Sequence, residues 1–87
     1  MVTVFIPPVL RSMTDGTTSI MLPAETVRDV VDGLDDQFPG LRARLCEHNQ
    51  LRPGLSVAIG SRICGRSLLE RIPEGAEVHF LPAVVGG

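Results

Sequence analysis

Two glycines, Gly86 and Gly87, end the sequence behind three small aliphatic residues, Ala83, Val84 and Val85. A terminal Gly-Gly pair arises by chance in roughly 0.5% of chains, given glycine at about 7% of residues. The pair is therefore a signal that needs context. The chemistry it offers is a carboxylate delivered into another protein's active site. Glycine has no Cβ, so its backbone passes a narrow channel and accepts either sign of φ. Five extended residues beyond Pro82 reach about 17 Å. A carboxylate is a poor electrophile and reacts only after conversion to an acyl-adenylate or a comparable leaving group. The chain has no Gly-rich phosphate loop of its own, so a separate ATP-using enzyme must perform that step.

Other reactive residue types are sparse. Cys46 and Cys64 do not form a CxxC pair, and His48 and His79 are far apart. The spacing does not suggest zinc. Both cysteines are expected to pack as small hydrophobes, as reduced thiols of a cytoplasmic protein. His79 reads as a half-exposed strand residue. Asp32, Asp35 and Asp36 read as a solvated helix face rather than a cation site. All eight basic residues are Arg, and the net charge is −2. With aromatic residues at 3%, neither a basic footprint nor a stacking platform for nucleic acid is present. The absence of Lys also denies the chain a side-chain amine on which to ligate itself. The first residues have no basic n-region and no long apolar run, so neither a signal peptide nor a membrane span is expected.

The elements that must position the C-terminal segment follow from periodicity. At 87 residues, 44% of them hydrophobic, the chain suits one small globular domain with an aliphatic core. That is little room for a deep catalytic cleft. Residues 2–6 alternate as a strand, with Val2, Val4 and Ile6 on one face. Pro7 and Pro8 end its pairing. A loop over residues 9–18 leads to a second strand over 19–22, stopped by Pro23. Thr26 and Asp29 form an N-terminal capping pair. Val27, Val30, Val31, Leu34 and Phe38 follow as one apolar helical stripe, and Gly33 inside it allows close packing. Pro39-Gly40 ends the helix. A short second helical turn spans 41–46, with Leu41 and Leu45 inward, and residues 51–54 read as a loop. Residues 55–59 and 62–64 read as strands, 67–70 as a short helical turn, and 77–81 as the last strand. The result is an α+β fold, a mixed sheet with one main helix on one face and the first and last strands in the middle.

With these elements in place, the chain resembles the ThiS/MoaD family of ubiquitin-like sulfur carriers, which includes the thiamin and molybdopterin carrier proteins. The resemblance rests on residues 2–6, on 26–34 followed by Phe38-Pro39-Gly40-Leu41, on Glu74-Gly75-Ala76-Glu77-Val78, and on Leu81-Pro82-Ala83-Val84-Val85-Gly86-Gly87. The segment Phe5-Ile6-Pro7-Pro8-Val9-Leu10-Arg11 and the ending are most similar to the actinobacterial branch that serves cysteine biosynthesis. Gly60-Ser61 stands where relatives often carry an Asn-Gly or Asn-Asp turn.

The resemblance implies a β-grasp domain over 1–82 and a flexible tail over 83–87. It implies no bound cofactor, metal or catalytic residue. An E1-like enzyme, using ATP and magnesium, would adenylate the Gly87 carboxylate, and sulfide or a persulfide would convert it to a thiocarboxylate. The acceptor would be a partner synthase, either a PLP-dependent cysteine synthase or one acting on a thiosugar or other natural product. A metal-dependent peptidase would follow in the cysteine case. The alternative is a protein modifier joined through Gly87 to target amines. Strand parity puts Phe5 opposite Val4 and Ile6, and His79 and Leu81 opposite Val78 and Phe80. Phe5, His79, Leu81 and Pro82 are therefore expected to form the docking surface, with residues 83–87 entering the partner's active site.

Overall fold

The computed structural model describes residues 1–82. Seven strands form: β1 (Val2–Phe5), β2 (Ser19–Leu22), β3 (Cys46–Glu47), β4 (Gln50–Leu51), β5 (Leu55–Ile59), β6 (Arg62–Cys64) and β7 (Glu77–Pro82). Two helices accompany them, α1 (Val27–Gln37) and α2 (Leu41–Leu45), with a 3-10 helix over Pro8–Met13. The main sheet has the order β2-β1-β7-β5-β6, and β3 and β4 form a separate hairpin. β1 and β7 are parallel neighbours in the middle, while the β1–β2, β5–β6 and β5–β7 pairs are antiparallel. With α1 packed on one face, this is the β-grasp arrangement. Among the described residues no helix is long and apolar enough to cross a membrane.

α1 begins where the sequence says it should. Thr26 Oγ1 accepts from the Asp29 amide and Asp29 returns a bond from the Thr26 amide, so two of the orphan N–H groups of the first turn are satisfied. Val27, Val30, Val31 and Leu34 are buried in one cluster with Val2, Val4, Val57, Ile59, Val78 and Phe80 of the sheet and Ile6 just after β1, a continuous core that is aliphatic but for Phe80. Phe38, at the C-cap, is half-buried against it. At Gly33 a Cβ would stand 3.2 Å from Leu22 Cδ2, a tight approach that its missing side chain relieves.

Three sequence expectations need correction. The loop over 9–18 contains a 3-10 helix, begun by prolines whose fixed φ suits a helical start and closed by the buried Thr14, whose Oγ1 donates to the Arg11 and Thr17 carbonyls. Residues 67–70 are not helical. The carbonyls of Arg66, Leu68 and Glu70 instead accept from the amides of Leu51, Arg28 and Val27, so this stretch laces the helix start to β4 rather than closing a helical turn. The segment around 46–51 is a hairpin, turned through His48 and Asn49 with φ of 54° and 62°. Two successive positive φ values mark a type I′ turn, which the His-Asn pair does not announce.

Candidate functional site

β7 carries the chain out of the fold, so its last rungs decide where residues 83–87 begin. On one side it pairs with β5 from Val78 as far as Pro82, which lies opposite Leu55. On the other side its pairing with β1 stops at Phe5–His79. Pro7 has no N–H to continue the ladder, and the chain turns away into the 3-10 helix. Leu81 and Pro82 therefore project past the last β1 rung, held by β5 alone.

The sheet face turned away from α1 carries the residues expected to dock a partner. The Phe5 and His79 rings stack with centroids 4.3 Å apart and planes 4° from parallel. Such a pair contributes roughly 0.5–1.5 kcal/mol beyond its buried area and fixes both rings. Leu81, half-exposed, follows two residues along β7 on the same face, opposite Ser56. His79 Nε2 lies 3.6 Å from Glu77 Oε1, on the same face of the strand. Phe5, His79 and Leu81 are thus brought together, beside the backbone of Pro82.

The same face holds residues that sequence reasoning missed. Ala58 lies opposite His79, and Ile63 opposite Ala58. Met21 lies opposite Thr3. Ile63 is 71% exposed and Met21 63%, so the patch continues toward both sheet edges. The parity of β5, β6 and β2 held this information, but only the register says which residues share a row.

Cys46 and Cys64 are free thiols. Cys64 is buried in the core, and Cys46 is half-buried with its pKa pushed up by that burial, a shift the Arg42 charge partly opposes. A raised pKa leaves less of the nucleophilic thiolate at neutral pH. Among the described residues no group of three or more His, Cys, Asp or Glu side chains is placed to hold a metal ion. The expected solvated aspartate face is partly a joint. Asp35 Oδ1 accepts from the Gly40 and Arg42 amides at 3.0 and 3.1 Å, and Asp32 ion-pairs with Arg42. Only Asp36 stands fully in water. The two amide bonds, first that of Arg42 and then that of Gly40, hold the Asp35 carboxyl below its ordinary pKa. They fasten α2 to the end of α1.

Gly87 and the rest of residues 83–87, expected to enter a partner's active site, lie outside the described residues. What the structure supplies is their point of departure, an apolar and aromatic face running along the strand that leads into them.

Comparison with known proteins adds three findings. The ThiS family profile matches residues 4–87. The chain is 32% identical over 92 residues to the sulfur carrier protein CysO of Mycobacterium tuberculosis, spanning 99% of this chain and 98% of that one. Among solved structures, a chain of the Amycolatopsis orientalis BexX/CysO complex superposes with a TM-score of 0.86 at 31% identity, covering all of both chains. The small archaeal modifier protein 1 of Methanosarcina acetivorans does so with a TM-score of 0.77 at 27% identity, over 99% of this chain and 95% of that one.

Proposed function

The chain belongs to the ThiS family, and on that premise we propose that it is a sulfur carrier whose reactive group is the Gly87 carboxylate. The carboxylate attacks ATP, bound with magnesium in an E1-like partner, to give an acyl-adenylate and pyrophosphate. Sulfide then displaces AMP and leaves a thiocarboxylate; a persulfide in its place gives an acyl disulfide, and a thiol of the partner must cleave its S–S bond, becoming a disulfide as the thiocarboxylate leaves. That sulfur is a soft nucleophile, and a partner synthase presents the electrophile it attacks. The relatives named for cysteine metabolism favour a PLP-dependent cysteine synthase, with a metal-dependent peptidase to free the product. The protein is then a co-substrate of these partners rather than an enzyme.

The observation that carries the reading is continuity. The strand that bears His79 and Leu81, beside Phe5, runs directly into residues 83–87, so an enzyme that grips this face has the terminal carboxylate within about 17 Å. Exposed apolar residues grouped in this way mark interaction sites.

A second reading, a modifier joined through Gly87 to target amines, draws on the likeness to the archaeal modifier protein. The Lys-free sequence weighs against chains of the protein built on its own side chains. Intact mass after incubation with the E1-like enzyme, ATP and sulfide separates the two. Sulfur in place of oxygen adds about 16 Da, and conjugation adds a whole polypeptide. The carrier reading expects the small gain, lost on deletion of Gly87. A gain that survives the deletion, or maps to Cys46 or Cys64, would overturn it.

A further inference from the structure

The end of the sheet where β7 finishes carries a second feature, on the side of the 3-10 helix and α2. Pro7 and Val9 form one wall of a groove of about 470 Å³, and Leu55 and Phe80 lie in it. Arg44, from α2, and Arg52, after β4, are its charged residues, and no acidic side chain lines it. Two cations on an otherwise apolar wall stand out in a chain of net charge −2.

Arg44 is free to meet a partner, and Arg52 is held only loosely. Arg44 has no ion-pair partner among the described residues. Arg52 donates to the Ala43 carbonyl at 3.3 Å, while its nearest carboxylate, Glu47, is 3.9 Å away. Val9 is 78% exposed, an apolar side chain at the lip that the fold itself does not cover. Leu55 is the residue paired with Pro82, so the groove opens one rung from the departure of residues 83–87.

We propose that this groove receives an apolar side chain of the adenylating enzyme, flanked there by carboxylates that meet Arg44 and Arg52. The proposal rests on the carrier reading and adds a second contact to it, on the other side of the strand's exit from Phe5, His79 and Leu81. Any enzyme that draws in residues 83–87 must bring a surface over this end of the sheet. The charge pattern selects an acidic partner. A second copy of the chain would bring four arginines together against only the Glu47 carboxylate beside each Arg52. Two cations on an apolar wall are also too few for a phosphate backbone, whose binding needs many neutralising contacts.

The test uses the full chain, with Arg44→Glu, Val9→Ser and the Arg44→Glu/Arg52→Glu pair. Titration against the E1-like enzyme is combined with ATP–pyrophosphate exchange, thermal melting and sedimentation. Arg44→Glu alters an exposed, unpaired side chain, so its melt should match the wild type even if the double variant is less stable. The proposal expects binding about tenfold weaker for Arg44→Glu, equivalent to about 1.4 kcal/mol. Added salt should narrow the difference, as for any exposed charge contact. Val9→Ser should weaken binding at every salt concentration. Normal binding by Arg44→Glu and Val9→Ser, with the wild type adenylated, would overturn the groove and leave the carrier reading standing. No adenylation of the wild type would overturn both. A wild-type dimer that Arg44→Glu dissociates would give the groove to a second copy and overturn the proposal.

Discussion

Val78 and His79 are neighbours in the chain and live in different environments. Val78, with Val4 and Ile59 beside it, is sealed under α1. His79 stacks on Phe5 in partial contact with solvent, and Leu81 lies two residues further along. The same sheet supplies both sets, with β2 and β6 adding Met21 and Ile63 to the open face. On the covered face the side chains are aliphatic and dispersion-packed. On the open face they are mixed, with an aromatic pair, a carboxylate and exposed methionine and isoleucine. Alternation along a strand therefore lets an 87-residue chain keep its core and the surface proposed to dock a partner on separate side chains a single residue apart.

The predictions probe that separation, from the largest effect down. Val78→Asp would place an unpaired charge in the core at a cost of several kcal/mol, against a total stability of about 5–15 kcal/mol. It should abolish cooperative folding, visible as loss of the far-ultraviolet circular dichroism transition. A native-like melt would show that the covered face is not the core. Leu34→Ala removes a buried side chain from α1 and should cost about 2–5 kcal/mol in urea denaturation. Thr26→Ala removes the helix cap and should cost about 1 kcal/mol, and a loss much above that would point to a further job for Thr26.

Acid sets the smallest effect. The folded pKa of Asp35 is depressed by the Arg42 and Gly40 amides. Its contribution is therefore complete above the ordinary aspartate range, about 4, and is lost as pH falls through the lower folded value. Asp35→Asn should flatten the decline of the urea midpoint between neutral and strongly acidic pH. An unchanged slope would mean that the joint between α1 and α2 does not depend on the ionised carboxylate.

The sequence revealed most where a local rule was strong enough to act alone. The Thr26–Asp29 cap, the stripe from Val27 to Phe38, and the parity of β1 and β7 all held, since each follows from spacing along a single element. Phe5, His79 and Leu81 were placed on one face for the same reason. The misses depended on tertiary partners. Residues 67–70 read as helical, yet the Leu68 and Glu70 carbonyls serve α1, and that of Arg66 just before them serves β4. The β3–β4 hairpin turns on left-handed His48 and Asn49, residue types with only a mild preference for that region, far weaker than an Asn-Gly pair. Asp32 and Asp35 looked solvated because Arg42 and Gly40 reach them only once α2 folds back. Ile63 and Met21 joined the open face only when the register was known, and the groove with Arg44 and Arg52 needed four separate segments in place.

The most direct measurement of the separation between folding and recognition is Leu81→Asp, followed by melting and by titration with the E1-like enzyme. An exposed strand substitution usually shifts stability by no more than about 0.5 kcal/mol, so the melt should stay close to that of the wild type. Binding should fall by about tenfold or more, because a charge is then forced into an apolar contact without a partner. A variant that fails to fold would place Leu81 in the core. A variant that folds and binds as tightly as the wild type would move recognition off this face.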